Sequence, residues 1–236
     1  MCETNVFLEQ NGERQLVMKD VTRLVVTPGG ITLSTLFEPP MTVQATVQEL
    51  DFHKHAATLV ATPASGPSVP PWILQRRSIR EYTDTPVTDQ QIAALLQAAM
   101  AAPSANDVRP WAFVVVRDPV RRQALAQTHQ WSATCAQAPV VFAVLGNPDR
   151  SDHWVEDCSA ATENLLLTAA ALDLGGVWVA IYPRPQREAY VRQALDIPEA
   201  WRVLCLVPVG EPVETKSPRT RYEASKVHYE AFGRVP

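Results

Sequence analysis

A segment rich in proline, serine and glycine divides this chain into two parts with different residue patterns. It reads ATPASGPSVPPW, a composition typical of an extended linker that is stiffened at Pro70–Pro71. Short apolar runs precede it, whereas helical and strand-like patterns alternate after it. A chain of 236 residues is long enough for two domains. We therefore predict a domain at residues 1–62, a linker at 63–71 and a second domain at 72–236.

The first part has the pattern of a small β domain. Its apolar runs are separated by NG and PGG turn signals in TNVFLEQNGERQLVMKDVTRLVVTPGGITLSTLF. TVQATVQELDF then alternates with a period of two, and HAATLVA follows as a further strand. In this interpretation His53 and His55 lie on one face of a strand. The pattern predicts a small antiparallel β-barrel or sandwich.

The second part alternates helices with buried strands. The expected helices are QIAALLQAAMAA, PVRRQALAQTH, VEDCSAATENLLLTAAALDLG and REAYVRQALDI. The expected strands are WAFVVVRD, APVVFAVLG, GVWVAIYP and RVLCLVPVGEP. Thr88 is a candidate N-cap for the first helix, and Pro103 follows its end. This alternation predicts an α+β or α/β domain.

Charge and cysteine content exclude several classes of protein. The net charge of −4 lacks the basic domain expected of a nucleic-acid-binding protein. No apolar run reaches the ~18 residues of a membrane helix, and MCETNVFLEQ does not resemble a secretory signal. The widely spaced cysteines lack the CxxC spacing of common zinc and iron–sulfur sites, and Cys158 and Cys205 are expected in the core. We expect a soluble cytoplasmic protein with no membrane or nucleic-acid partner.

Three polar segments of the second part are candidates for binding a phosphorylated planar cofactor. The first is RRSIR at residues 76–80, since arginine forks and a serine hydroxyl suit phosphate oxygens. The second is APSANDVRPW at 102–111, a loop between a helix and a buried strand. The third is KSPRTR at 216–221. Each has a plainer alternative: a solvated basic turn, a loop that caps its own backbone, and a charged tail.

The order and spacing of these segments resemble the nitroreductase family from about Trp72 to Phe232. The resemblance rests on RRSIREY, APSANDVRPWAFVVV, ENLLLTAAALDLGGVW, VPVGEP, PRTR and KVHYE. It implies a three-layer α+β sandwich and an obligate homodimer with two FMN molecules at the subunit interface. The residues that it implies for the FMN phosphate and ribityl chain are Arg76, Arg77, Ser78, Arg80, Arg219 and Arg221. For the flavin it implies Pro103, Ser104 and Asp107 from the partner subunit, with backbone approaching at Gly175 and Gly176, where a Cβ would intrude.

The reaction that the resemblance implies is a ping-pong transfer of electrons. NAD(P)H delivers hydride to the flavin and leaves, and a small acceptor such as a nitroaromatic or a quinone then reacts on the same face. The flavin carries this chemistry, so we name no catalytic acid or base. Many family members have asparagine in place of Asp107 and glutamine in place of Arg109. We expect a carboxylate near the flavin to lower the reduction potential unless Arg109 pairs with it. A Rossmann fold is not supported, since no GxGxxG follows a strand.

The N-terminus carries a second candidate site. If Met1 were removed, the amine and thiolate of Cys2 could form a compact nitrogen–sulfur site suited to Ni(II) or Cu(II). His53 or His55 could add a ligand, although a surface histidine pair is more often simply solvated. The segments MCETNVFL, GERQLVMKDVTRL, GGITLSTLF and VQATVQELDF resemble the nickel-binding accessory family CooT. That resemblance implies Ni(II) binding through Cys2 across a dimer.

Three functional hypotheses follow from the sequence. The first is an FMN-dependent NAD(P)H oxidoreductase with an appended Ni(II)-binding module. The second is a metal or redox sensor, or an accessory protein, that binds flavin without rapid turnover. The third is a specialised reaction on the same fold, such as dehalogenation or flavin fragmentation.

Overall fold

A computed structural model of the chain describes residues 4–10, 13–27, 30–61 and 69–234. The chain divides into two compact units, Met1–Ser68 and Val69–Pro236. Each unit has its own hydrophobic core.

The N-terminal unit consists of two β-sheets. Its strands are β1 (Thr4–Gln10), β2 (Glu13–Val21), β3 (Arg23–Thr27), β4 (Gly30–Ser34), β5 (Met41–Val43), β6 (Ala45–Asp51) and β7 (Ala56–Ala61). One sheet has the order β2-β1-β7-β6 and the other the order β3-β4-β5. Buried residues of both sheets form one core, among them Val6, Ile31, Leu33 and Leu59. The described strands therefore form two packed sheets without closing a barrel.

Two details of this unit differ from the sequence-based expectation. Strands β1 and β7 pair in parallel, with Val6 opposite Ala57, while the other described strand pairs are antiparallel. The second difference concerns His53 and His55, which lie in the turn at residues 52–55 and not in a strand. Asp51 stabilises that turn by accepting backbone N–H groups from His53 and Lys54, both at 3.0 Å. The alternating pattern that predicted one face for the two histidines therefore ends at Asp51.

The C-terminal unit is built around a five-stranded sheet. Its strands are β8 (Trp111–Val116), β9 (Val140–Gly146), β10 (Gly175–Gly176), β11 (Val179–Ala180) and β12 (Arg202–Gly210). Its helices are α1 (Pro71–Gln75), α2 (Asp89–Met100), α3 (Pro119–Leu125), α4 (Thr134–Gln137), α5 (Trp154–Ala171) and α6 (Pro185–Ala194). The sheet order is β10-β12-β9-β8, with β11 also paired to β12, and all of these pairs are antiparallel.

Helices cover both faces of this sheet. Apolar residues of α2 and α5 pack on one face, where Phe142 and Val144 of β9 point. Residues of α3, α4 and α6 pack on the other face, against Val141 and Ala143. This alternation along a fully buried strand produces three layers. The α+β three-layer prediction is confirmed.

Local signals explain some element boundaries and miss others. Thr88 forms a capping box with Gln91, as expected of the α2 start. The predicted strand GVWVAIYP is instead two short segments, β10 and β11, that pair with different parts of β12. Pro71 begins helix α1, whereas the sequence predicts an extended linker through that residue. Proline is compatible with both structures, because its fixed φ also suits the first residue of a helix.

Three cysteines of the C-terminal unit are buried thiols. Cys158 and Cys205 are buried, as expected, and so is Cys135. Burial raises the pKa of the Cys135 and Cys158 thiols to about 12, so both stay protonated at neutral pH. In the part of the chain that the structure describes, no helix is both long and apolar enough to span a membrane.

Candidate functional site

The RRSIR segment is held as an extended strip beside the sheet. The N–H of Ile79 donates to the Gly176 carbonyl at 3.1 Å, and the Ile79 carbonyl accepts from the buried Tyr82 hydroxyl at 2.7 Å. Burial raises the pKa of Tyr82, so its hydroxyl stays protonated as a donor. Thr134 donates to the Arg80 carbonyl at 3.0 Å. These hydrogen bonds fix the backbone at residues 79 and 80, and therefore define where the side chains of the strip begin.

The C-terminal basic segment crosses this strip and is hydrogen-bonded to it. The ammonium of Lys216 donates to the Ser78 carbonyl at 3.1 Å, and the N–H of Arg219 donates to the Leu74 carbonyl at 3.1 Å. The Arg77 guanidinium donates to the Ser217 carbonyl. Two segments about 140 residues apart in sequence are thus joined by hydrogen bonds to backbone carbonyls, which fix the tail at the site.

The two segments together line a cavity of about 480 Å³. Its lining residues are Ile73, Arg76, Arg77, Ser78, Arg80, Lys216, Arg219 and Arg221. The cavity therefore brings together six residues of the FMN prediction, all those assigned to the phosphate and ribityl chain. None of the described lining residues is acidic. A strongly cationic concavity of this kind suits an anionic ligand.

Only part of this positive charge is neutralised by the protein itself. Arg76 lies 3.6 Å from Glu163, and Lys216 lies 2.5 Å from Glu214. The other four guanidinium groups of the lining have no ion-pair partner among the described residues: Arg77, Arg80, Arg219 and Arg221. Like charges held together repel one another unless an anion neutralises them. The unpaired positive charges of the cavity therefore favour binding of a phosphate group.

Lys216 is a lining residue that the sequence-based assignment of site residues omitted. It belongs to the same basic run as Arg219 and Arg221, so the signal was present in the run KSPRTR. Its contact with the Ser78 carbonyl could not be read from the sequence, because it depends on how the tail crosses the strip. A neighbouring cavity of about 420 Å³ shares Arg76, Arg77 and Lys216 with the basic cavity.

The glycine pair has a packing role that the sequence did not reveal. A Cβ at Gly175 would lie 2.6 Å from the Ile79 side chain, and a Cβ at Gly176 would lie 3.1 Å from Leu166. The close approach at Gly175 is therefore to Ile79, in the middle of the arginine strip. Gly176 lines the neighbouring cavity, and neither glycine lines the basic cavity. Their approach to the flavin stays a prediction.

The loop that carries Pro103, Ser104 and Asp107 does not contribute to the described lining of the basic cavity. In that loop the Arg109 guanidinium donates two hydrogen bonds to the Asp107 carboxylate. Nε lies 2.7 Å from Oδ1, and a terminal nitrogen contacts Oδ2. This guanidinium lowers the pKa of the Asp107 carboxyl below its ordinary value. The negative charge of Asp107 is thus paired, which was the condition set above for avoiding a lowered flavin potential.

The candidate metal site at the N-terminus cannot be described in the same way. Cys2 lies outside the described residues. Within the described ranges, no group of three or more histidine, cysteine, aspartate or glutamate side chains is placed to hold a metal ion. Nickel binding through Cys2 therefore stays a prediction.

Two family models match the chain. The model described as "Nitroreductase family" matches residues 73–133 and 128–211, and the model described as "CO dehydrogenase accessory protein CooT" matches residues 1–60. A protein of Archaeoglobus fulgidus, whose name describes an NADH dehydrogenase/NAD(P)H nitroreductase, is 39% identical over 167 residues. The match covers 68% of this chain and 96% of that protein.

Solved structures give the same result for the C-terminal unit. A crystal structure from Bacteroides thetaiotaomicron, with the same description as the Archaeoglobus protein, is 38% identical with a TM-score of 0.67. It matches 68% of this chain and 96% of its own. A nitroreductase from Desulfovibrio desulfuricans in complex with FMN is 29% identical with a TM-score of 0.59, over 68% of this chain and 95% of its own.

Proposed function

Since the chain belongs to the nitroreductase family, we propose that it is an FMN-dependent oxidoreductase that passes electrons from NAD(P)H to a small organic acceptor such as a nitroaromatic or a quinone. The observation that carries this proposal is the basic cavity, where six arginine and serine residues predicted for FMN meet in a described lining that contains no acidic residue. The Desulfovibrio structure supports it, because that relative of similar fold is in complex with FMN.

The residues of the cavity suit the ribityl phosphate end of FMN. Arg80, Arg219 and Arg221 would supply charge-assisted hydrogen bonds to phosphate oxygens, and Ser78 would add a hydroxyl donor. Lys216 would act as a further cation that is already oriented by the Ser78 carbonyl. When bound, FMN would supply the redox centre that takes a hydride from NAD(P)H and returns the electrons to the acceptor in a ping-pong sequence. The protein would bind and orient the reactants.

The flavin ring calls for a second subunit in this proposal. Pro103, Ser104 and Asp107 are outside the basic cavity of their own chain, so we propose a homodimer in which this loop lines the flavin held by the other subunit. The pairing of Asp107 with Arg109 gives the loop a neutral polar edge there. A reduced flavin would then avoid most of the repulsion from the Asp107 carboxylate.

An absorption spectrum with anaerobic NADPH addition tests the proposal. We expect bound flavin bands that bleach on addition, and a dimeric mass in light scattering at micromolar protein. We also expect that Arg76→Ala combined with Arg80→Ala gives a folded but colourless protein. Flavin bands that persist with both NADPH and NADH, or no flavin uptake after reconstitution, would contradict the oxidoreductase function. A monomer that retains full activity would contradict the shared site.

The match of residues 1–60 to CooT favours a second activity in the N-terminal unit. We propose that this unit binds Ni(II) through Cys2. Isothermal titration calorimetry with Ni(II) tests this binding. Cys2→Ala is the control and should abolish it. If NAD(P)H oxidation were absent while nickel and flavin both bound, the alternative of a metal or redox sensor without rapid turnover would replace the enzyme.

A further inference from the structure

The loop at residues 103–109 has a strained backbone. Asn106, Asp107 and Arg109 all have left-handed conformations, with φ values of 51°, 55° and 51°. Residues with a Cβ rarely adopt this conformation, and it persists only where surrounding contacts hold the backbone in place. The contacts that hold this loop are therefore of functional interest.

Asp157 on helix α5 is the group that holds the first half of the loop. Its carboxylate is buried, with the residue 5% exposed. Oδ1 accepts the backbone N–H of Ala105 at 3.0 Å, and Oδ2 accepts the Ser151 hydroxyl at 3.1 Å. Ala105 opens the 3-10 turn that leads directly into the left-handed residues. A buried carboxylate requires hydrogen-bond partners, and here one of the two is the loop itself.

The second half of the loop is closed by other contacts. Ser104 Oγ accepts the N–H of Arg109 at 3.0 Å, and the Arg150 guanidinium donates to the Val108 carbonyl at 3.1 Å. Helix α5 is a firm base for Asp157, because Trp154 and Cys158 on either side of it are buried in the main core. Asp157 thus ties the first half of the loop to the rigid core, while Arg150 holds the second half.

We propose that Asp157 is a positioning residue for the flavin chemistry. By fixing the N–H of Ala105, it sets the placement of Ser104 and Asp107, the side chains assigned above to the flavin of the other subunit. This inference rests on the proposed function. It adds that a residue remote from the basic cavity controls reactivity while FMN affinity stays with the arginines.

The Asp157–Ala105 hydrogen bond can be removed from either side. Asp157→Ala removes the acceptor, and Ala105→Pro removes the donor without altering α5. Proline is suitable here because Ser104 has the extended conformation (φ −140°, ψ 153°) favoured before proline, and residue 105 begins a turn. Asp157→Asn keeps an oxygen acceptor and serves as the rescue variant. Ser151→Ala removes the other partner of Asp157 and serves as the matched control.

Hydrogen exchange of the 104–109 peptide and steady-state kinetics are the two measurements. We expect Asp157→Ala and Ala105→Pro to raise loop exchange about tenfold each, since a tether to the core is lost. We expect kcat/KM for the acceptor to fall roughly ten- to a hundredfold, because ångström-scale misplacement costs rate. FMN affinity should stay near the wild-type value. The double variant should be no worse than either single variant, since both remove the same interaction.

The outcomes separate this inference from the function on which it rests. Wild-type loop exchange in Ala105→Pro, or a loss in Asp157→Asn as large as in Asp157→Ala, would overturn the positioning role. If Asp157→Ala failed to fold, loop exchange and kinetics of Ala105→Pro would decide the positioning role by themselves. A wild-type protein that neither binds FMN nor oxidises NAD(P)H would overturn the proposed function, and with it the catalytic part of the inference, while exchange would still report the tether.

Discussion

The basic cavity and the 103–109 loop are both rich in charge, yet their arginines are used differently. In the cavity Arg80, Arg219 and Arg221 have no ion-pair partner among the described residues. In the loop Arg109 is bound to Asp107 through both carboxylate oxygens. An unpaired cluster of cations favours binding of an anion, whereas in a closed ion pair the local charge is already balanced.

The two regions also differ in how their segments are held together. The strip at residues 76–80 and the tail at 216–221 are joined inside one unit by hydrogen bonds from the Arg77 and Lys216 side chains to backbone carbonyls. The loop is tied to its own core by Asp157, and its exposed pair is left facing outward. In our proposal, the phosphate site is complete in each chain, while the flavin site is completed by a second copy.

The largest effect is expected at the arginine ion pair whose carboxylate, that of Glu188, is buried. Glu188 is 5% exposed and accepts from Arg202 at 2.5 and 2.7 Å and from the N–H of Val203 at 3.2 Å. Removing one partner of a buried pair is strongly destabilising, but Arg202 is 37% exposed and partly screened. Glu188→Ala should therefore lower the free energy of unfolding by roughly 3 kcal/mol, the lower end of the range for buried pairs.

Tryptophan fluorescence during urea unfolding measures this change, because all six tryptophans lie in the C-terminal unit. The matched control is Asp196→Asn, which removes the charge that pairs with the exposed Arg121, keeps a side chain suited to the left-handed backbone there (φ 55°), and should cost less than about 1 kcal/mol. Equal costs for the two variants would remove the distinction between a structural pair and a surface pair.

The next largest effect concerns the unpaired arginines themselves. Arg80→Ala with Arg219→Ala removes two phosphate donors, so FMN should bind at least about a hundredfold more weakly, at about one to two decades per charge-assisted hydrogen bond. Equilibrium fluorescence titration measures the affinity. Arg117→Ala with Arg121→Ala removes the same charge from two arginines that already have carboxylate partners, and it should leave FMN affinity unchanged. Equal weakening in both would point to a general charge effect.

A smaller effect on FMN binding is expected from a substitution that packs too tightly against the arginine strip. Gly175→Ala places a methyl group 2.6 Å from Ile79, which lies between Ser78 and Arg80. Overpacking of this kind costs about 1–3 kcal/mol, and part of that strain should appear as weaker FMN binding. Adding Ile79→Ala removes the two Cγ contacts but keeps the Ile79 Cβ contact at 2.6 Å, so the double variant should recover only part of the FMN affinity. No change in the single variant would show that the strip tolerates displacement.

The smallest effect is expected from the exposed pair in the loop. Arg109 lowers the pKa of Asp107, so the pair stabilises the loop at all pH values above the ordinary range of aspartate. That contribution is lost only when the pH falls through the lowered pKa. Titration of the Asp107 carboxyl carbon by NMR should therefore show a midpoint that rises in Arg109→Met. Identical midpoints would mean that the two side chains are not paired in solution.

The sequence predicts features that depend on local signals or on a family pattern. The α2 start at Thr88 is predicted because a capping box is local, and the arginines of both basic segments are predicted because they match the family. The sequence does not predict the break between β10 and β11, because that break depends on pairing with β12. The Asp157 tether is also missed, because it joins residues 52 positions apart.

Equilibrium binding of FMN and of riboflavin to the apoprotein tests the central claim most directly. The two ligands differ only in the phosphate group, which the unpaired arginines of the cavity are proposed to bind. We predict that FMN binds at least about a hundredfold more tightly than riboflavin, since several charge-assisted hydrogen bonds are involved. Equal affinity for the two ligands would contradict the assignment of the basic cavity.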